Sequence, residues 1–236
     1  MQSRFVLALL FMSLAPAVAA QDDPRPGEKA IMTSYGYLAA HPDQRWRRRG
    51  LAALKREEPE EAFDFFRRAA RYADKPSQAM IAEMLWTGWG VPVDRPLAYA
   101  WMDLAAERAY LPFLAKREEY WEALAPAERA AALAAGPGIY LEYGDEVAKR
   151  RLEFKLRLGK PRRGGLRSAW DVFVPGVAGL PKRIPGATYY DDRYWEPDEY
   201  WAWQYSIWRA PNKGVVEVQP LEVVDDEAPG RDAADD

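Results

Sequence analysis

The residues best suited to chemistry lie late in the chain. Asp191, Asp192, Glu196, Asp198 and Glu199 are interleaved with Tyr194, Trp195, Tyr200 and Trp201. Paired carboxylates beside aromatic platforms are what glycoside hydrolysis needs, one as acid and the other as base or nucleophile. The same set suits sugar binding without catalysis, on Trp195, Trp201 and Trp203, or an aromatic face packed on the rest of the protein. Other chemistries are poorly supplied. His41 is the sole histidine and there is no cysteine, so zinc sites built on those ligands are excluded. A Ser-His-Asp arrangement would have to use His41, and no G-x-S-x-G motif supports it. His41, beside Pro42, therefore reads as structural. Gly88-x-Gly90 is followed by no Lys-Ser/Thr pair and is a poor phosphate loop. No catalytic residue, cofactor or metal ligand is assigned, and the chain reads as a non-enzyme.

The elements that must position these residues begin after an export signal. Arg4 precedes the apolar stretch Phe5–Leu14, and Ala17-Val18-Ala19-Ala20 ends it in small residues, which predicts cleavage after Ala20. That stretch is too short to span a bilayer, which takes about 20 apolar residues. A soluble periplasmic or secreted protein is expected, not membrane-spanning after cleavage. Without cysteine it must be stabilised by packed apolar surface, and 49 % of its residues are hydrophobic, with ten tryptophans. The net charge of −3 gives no global pull toward nucleic acid. The basic clusters Arg45/Arg47/Arg48/Arg49, Lys149–Arg151 and Arg162/Arg163 fit solvated faces.

Residues 21–27 form a polar, proline-rich lead-in. Helical spacing then runs over 28–40, 44–56, 59–73, 77–86, 95–106, 111–124, 126–135 and 145–158. Asp43, Asp94 and Asp145 are the expected N-caps. Val147, Phe154 and Leu158 are the expected inner positions of the last helix, and Gly136 stops the one before it. Within this region Ala62, Phe65, Ala69 and Ala70 recur 36 positions later as Ala98, Trp101, Ala105 and Ala106. A fixed period of helical pairs predicts a stacked array that buries its faces between units. From 160 to 188 the helical periodicity gives way to a long irregular connection. Trp201, Trp203, Tyr205 and Ile207 alternate as in a strand, Pro211–Gly214 is a turn signal, and Val215, Val216 and Val218 follow, so a β-hairpin is expected. A helix over 198–208 is the rival, through Trp201, Tyr205 and Trp208. Residues 225–236 are an acidic tail expected to be disordered.

Leu85–Ala106 carries a family pattern. Gly88, Gly90, Val91 and Asp94 in the turn, then Ala98, Trp101, Ala105 and Ala106, resemble the Sel-one-like repeats, relatives of tetratricopeptide repeats. Ala82 and Leu85 depart from the family's usual glycine and tyrosine, and both suit a packed helix. The preceding unit, 43–74, keeps the second-helix signature but has Ala52-Ala53-Leu54 where the glycine turn would be. The unit from 113 keeps only Ala115. The resemblance covers about residues 43–135 and implies a mainly α fold: a short α/α solenoid over 28–159. A C-terminal extension follows over 160–224. It also implies that the first helix of each pair lines a concave face, offering Arg45, Arg48, Arg49, Glu83 and Trp89 to a protein partner. Bacterial members commonly act in envelope assembly, signalling or secretion. Two functions fit: protein–protein interaction in the cell envelope, or binding of peptidoglycan or polysaccharide by the aromatic–acidic segment. Enzyme-linked members resemble disulfide-rich versions, which a cysteine-free chain does not.

Overall fold

The computed structural model describes residues 27–160, 170–175 and 180–209. The export signal, most of the lead-in, Arg162 and Arg163, the Pro211–Gly214 turn with Val215, Val216 and Val218, and the acidic tail lie outside the described residues. The described chain is mainly helical, with a two-stranded antiparallel sheet.

Two short helices, α1 (Glu28–Thr33) and α2 (Tyr35–Ala40), replace the single one expected over 28–40. Ser34 breaks it by capping α2, its hydroxyl accepting from Tyr37 N–H at 3.3 Å. Then come α3 (Pro42–Lys55), α4 (Pro59–Ala70), α5 (Lys75–Thr87), α6 (Arg95–Ala105), α7 (Leu111–Ala123), α8 (Pro126–Tyr143) and α9 (Asp145–Gly159). Proline occupies the first turn of α3 to α8, where a missing N–H costs nothing. Consecutive helices pack on one another from α3 to α7, and α8 lies against α6. The alanines of the echo are the contact surface: Ala62, Ala69, Ala70, Ala98 and Ala105 are all fully buried. Small side chains let the helix axes approach, and Phe66, Met84, Met102 and Tyr120 fill the space between them.

The turn between α5 and α6 follows the glycine logic. Gly88 ends α5 at φ +74° and Gly90 repeats that angle. A Cβ on Gly90 would lie 2.6 Å from the Pro59 backbone, so this turn can approach α4 only without one. Asp94 caps α6, accepting from Leu97 N–H at 3.0 Å. The other two expected caps are corrections. Asp43 lies inside α3, and Asp145 follows the Gly144 cap of α9; both carboxylates are used in tertiary contacts. Asp74 caps α5 instead, accepting from Ser77 N–H at 3.1 Å.

Two further expectations change. α8 does not stop at Gly136 but continues through Pro137 to Tyr143. Burial of Ile139 and Tyr143 against the α6 side, with Tyr143 4.7 Å from the Trp101 ring centre, outweighs the local preference. On α9 the buried positions are Ala148, Leu152 and Leu156, while Phe154 and Leu158 face solvent.

The C-terminal segment is the largest correction. The hairpin sits earlier than expected: β1 (Val172–Pro175) pairs with β2 (Pro181–Ile184), Val172 opposite Ile184. The aromatic run is helical, as α10 (Gly186–Tyr189), α11 (Asp192–Trp195) and α12 (Pro197–Arg209). The i, i+4, i+7 reading of Trp201, Tyr205 and Trp208 wins over strand alternation. α12 crosses the N-terminal ends of other helices. Tyr200 meets Asp43 and Gln44 at the start of α3, and Trp208 meets Tyr110 and Phe113 at the start of α7.

Candidate functional site

In the aromatic–acidic segment Asp198 and Glu199 are exposed, while the other groups expected to do chemistry are engaged within the protein. Asp192 and Glu196 both accept from Lys160 Nζ, Asp192 at 2.7 Å. Asp191 caps α11, accepting from Arg193 N–H at 3.0 Å. Trp195, expected as an exposed platform, is a core residue at 2 % exposure, and its indole donates to the Tyr189 carbonyl at 2.7 Å. Trp201 is half-buried; its indole donates to Glu153 at 3.2 Å, and Arg108 and Lys149 lie 4.7 and 5.2 Å from its ring centre. Trp203, also half-buried, packs edge-on to Tyr194 and Tyr200 with Arg193 at 5.2 Å. Ring faces that would hold a sugar are thus used within the protein.

Beneath α12 lies a buried polar network. His41 is fully buried and stacks on Tyr37 with ring centres 3.7 Å apart. Its Nδ1 and Nε2 sit 2.7 Å from the Tyr37 and Tyr194 carbonyls. Burial lowers its pKa to about 4, while those two carbonyls, which together call for two N–H donors, pull the other way. Asp43 accepts from the Tyr200 hydroxyl, which itself accepts from Gln44 at 3.0 Å. Burial, then the nearby Asp74 charge, pushes Asp43 up to about 7. Deeper in, Lys75 donates to Gln78, the Leu104 carbonyl and Glu107, and pairs with Asp145 at 3.1 Å. Burial raises Asp145, but the Arg108 hydrogen bonds and the surrounding cations outweigh it and hold the carboxyl well below its usual range. The His41–Asp43–Tyr200 groups are buried, whereas Glu107 at the edge of the Lys75 cluster is exposed; both sets join helices.

A cluster of cations without ion pairs among the described residues lies on α3 and α4. Arg48 and Arg49 are exposed and Arg45 is half-buried. The guanidiniums of Arg45, Arg49 and Arg68 lie 4.8, 4.9 and 5.0 Å from the ring centre of Trp46. Trp46 stacks on Phe65 at 5.7 Å. Indole faces attract cations, so the stack holds three like charges together. Among the described residues none of Arg45, Arg48, Arg49 or Arg68 has a carboxylate within ion-pair distance. Arg45 Nε is buried and makes no hydrogen bond. An unmet donor of that kind is costly unless an acceptor arrives. Sequence reasoning named three of these arginines and missed Trp46, Phe65 and Arg68. The signal was available: Trp46 is an aromatic enclosed by Arg45 and Arg47–Arg49, and Phe65 precedes Arg68 by one helical turn.

The remaining candidates lie elsewhere. Glu83, expected to be exposed, is buried against α7, with Lys116 at 3.7 Å. Burial raises its pKa against the pull of Lys116. Trp89 is half-buried and packs against the main core. Neither joins the arginine face. A cleft of about 500 Å³ opens between α4, α6 and α8, lined by Phe63, Arg67, Leu97, Trp101 and Ile139 among others.

No family model, curated protein or solved structure matches the chain. Among the described residues no cluster of three or more His, Cys, Asp or Glu could hold a metal, and no helix is long and apolar enough to cross a membrane.

Proposed function

We propose that this is a non-enzymatic Sel-one-like repeat protein of the cell envelope that binds a protein partner through the arginine–tryptophan face of α3 and α4. In this reading α1–α9 form a short solenoid, residues 160–224 are a C-terminal extension of which α12 packs on it, and the export signal delivers the chain to the periplasm or beyond. The observation that carries the reading is the cluster of guanidiniums around Trp46 with no carboxylate among the described residues to answer it. Arginine and tryptophan are the side chains that most often anchor protein interfaces. The repeat assignment is supported by the glycine turn and by the buried alanines that recur 36 residues apart. The engaged state of Trp195, Trp201 and Trp203 weighs against the polysaccharide reading.

The test is a photo-crosslinking amino acid at Ala52, exposed on the same face of α3, compared with one at exposed Ala130 on α8. Discrete adducts in envelope preparations from Ala52 alone, lost on Arg48→Glu plus Arg49→Glu, are expected. Equal labelling from both positions, insensitive to the charge reversal, would reject the reading. N-terminal sequencing of the exported chain checks cleavage after Ala20.

A further inference from the structure

The arginine–tryptophan face calls for anions, and the chain carries a matching segment of its own. We infer that residues 225–236 dock on this face and occupy it until a partner displaces them. The inference rests on the reading of that face as a binding surface and adds its regulation.

Complementary charge is the first argument. The segment D-D-E-A-P-G-R-D-A-A-D-D holds six carboxylates and one arginine, a net charge of 1 − 6 = −5. Arg45, Arg48, Arg49 and Arg68 face it with four positive charges and no carboxylate partner among the described residues. Guanidinium and carboxylate form charge-assisted, often bidentate, hydrogen bonds. Arg45 Nε, buried and without an acceptor, is a donor waiting for one. The carboxylates already on these two helices do not answer the need. Glu58 and Glu61 are both held by Arg56 at 2.6 Å, and Asp43 is turned inward to Tyr200. Asp64, Glu57 and Glu60 are exposed but form no ion pair with these arginines.

Reach is the second. α12 ends at Arg209, so residues 210–224 tether the segment, 15 residues that can extend to roughly 50 Å. A folded body of this size has a radius of gyration of about 16 Å and so a diameter of about 40 Å, shorter than the extended tether. A short tether also gives an effective concentration on the order of millimolar. Contacts too weak to hold a free peptide are then sufficient to keep the face covered, and still weak enough for a larger partner to displace them.

The absence of native cysteine makes the test direct. Ala52→Cys and Ala234→Cys in the full chain, spin-labelled, report the distance between α3 and the segment. Docking predicts a short-distance population at low salt. That population should disappear at about 0.5 M NaCl, where the screening length falls to about 4 Å. It should also disappear with Arg48→Glu plus Arg49→Glu, and survive Arg48→Lys plus Arg49→Lys. A broad distribution indifferent to salt and to charge reversal would overturn the inference. So would a short population that persists in the Glu variant, since the segment would then be docked elsewhere.

A second measurement separates this failure from failure of the underlying reading. Asp225, Asp226 and Glu227 are changed to their amides, together with Asp232, Asp235 and Asp236, and crosslinking from Ala52 is repeated. Docking predicts several-fold more partner adduct. Unchanged adduct yield sinks the docking and leaves the face as a partner site. A short-distance population without adducts in either form keeps the docking and removes the partner.

Discussion

Gly90 shows how one backbone angle can fix a turn. Its φ of +74° and a notional Cβ 2.6 Å from the Pro59 backbone make any side chain a clash with a rigid neighbour. Gly90→Ala should cost about 3 kcal/mol, combining strained backbone and overpacking, read as a lower urea midpoint with unchanged slope. Ala73 and Ala109 make the opposite case. Both have positive φ, 60° and 55°, and they stand 36 residues apart, like the buried alanines. An L-residue in that region is strained by about 1–2 kcal/mol. Ala109 is exposed, so Ala109→Gly relieves that strain at little packing cost and should stabilise by about 1 kcal/mol in the same assay. Ala73 is 1 % exposed, so its glycine variant also loses a buried methyl group and should gain less. The left-handed pair was written in the sequence as Ala73 and Ala109, but nothing in the alanine side chain announces that backbone.

At the level of elements, α12 is held by its partners more than by its own propensity. Its run of aromatic residues is an indifferent helix former and fits a strand pattern equally well. Helix is favoured by three separated anchors: Tyr200 under α3, Trp201 against α9, and Trp208 on Tyr110 and Phe113. Tyr200→Phe removes a hydroxyl that donates to Asp43 and accepts from Gln44, leaving buried polar groups unmet. A loss of about 1–3 kcal/mol is expected. Hydrogen exchange should show the α12 amides opening well before those of α5, whose first eleven residues are buried. Equal protection of both helices in the variant would mean that the hydroxyl does not hold α12 down.

For the whole molecule, the buried network couples stability to pH. Asp43 rises from its ordinary 3.8 to about 7, so between those values the unfolded chain is ionised there and the fold is protonated. Its contribution is complete below 3.8 and is lost as pH rises through 7. His41 falls from 6.5 to about 4, so its contribution is present above 6.5 and lost as pH falls through 4. The two oppose each other from pH 4 to 6.5 and leave a shallow profile. Asp43→Asn retains His41 and removes the first titration. Wild type minus Asp43→Asn should therefore be largest near pH 4 and decline by up to about 4 kcal/mol by pH 8. A flat difference in urea unfolding across that range would show that Asp43 does not titrate between the two states.

Local pattern determined the helices from 42 to 123 to within three residues at each end, the glycine turn and the buried alanines, because spacing at 3.6 residues and the needs of a turn are properties of neighbouring residues. Tertiary structure decided the rest. α8 runs through Gly136-Pro137-Gly138 because Ile139 and Tyr143 are buried beyond it. Asp43 and Asp145 leave their capping roles for partners far along the chain, Tyr200 and Arg108. Trp195 becomes core while Trp46 becomes the centre of the arginine face, although both are tryptophans in polar surroundings. Which aromatic is covered depends on what lies across from it: Trp195 is covered by Tyr37 and His41, distant in sequence and brought to it only once the chain has folded.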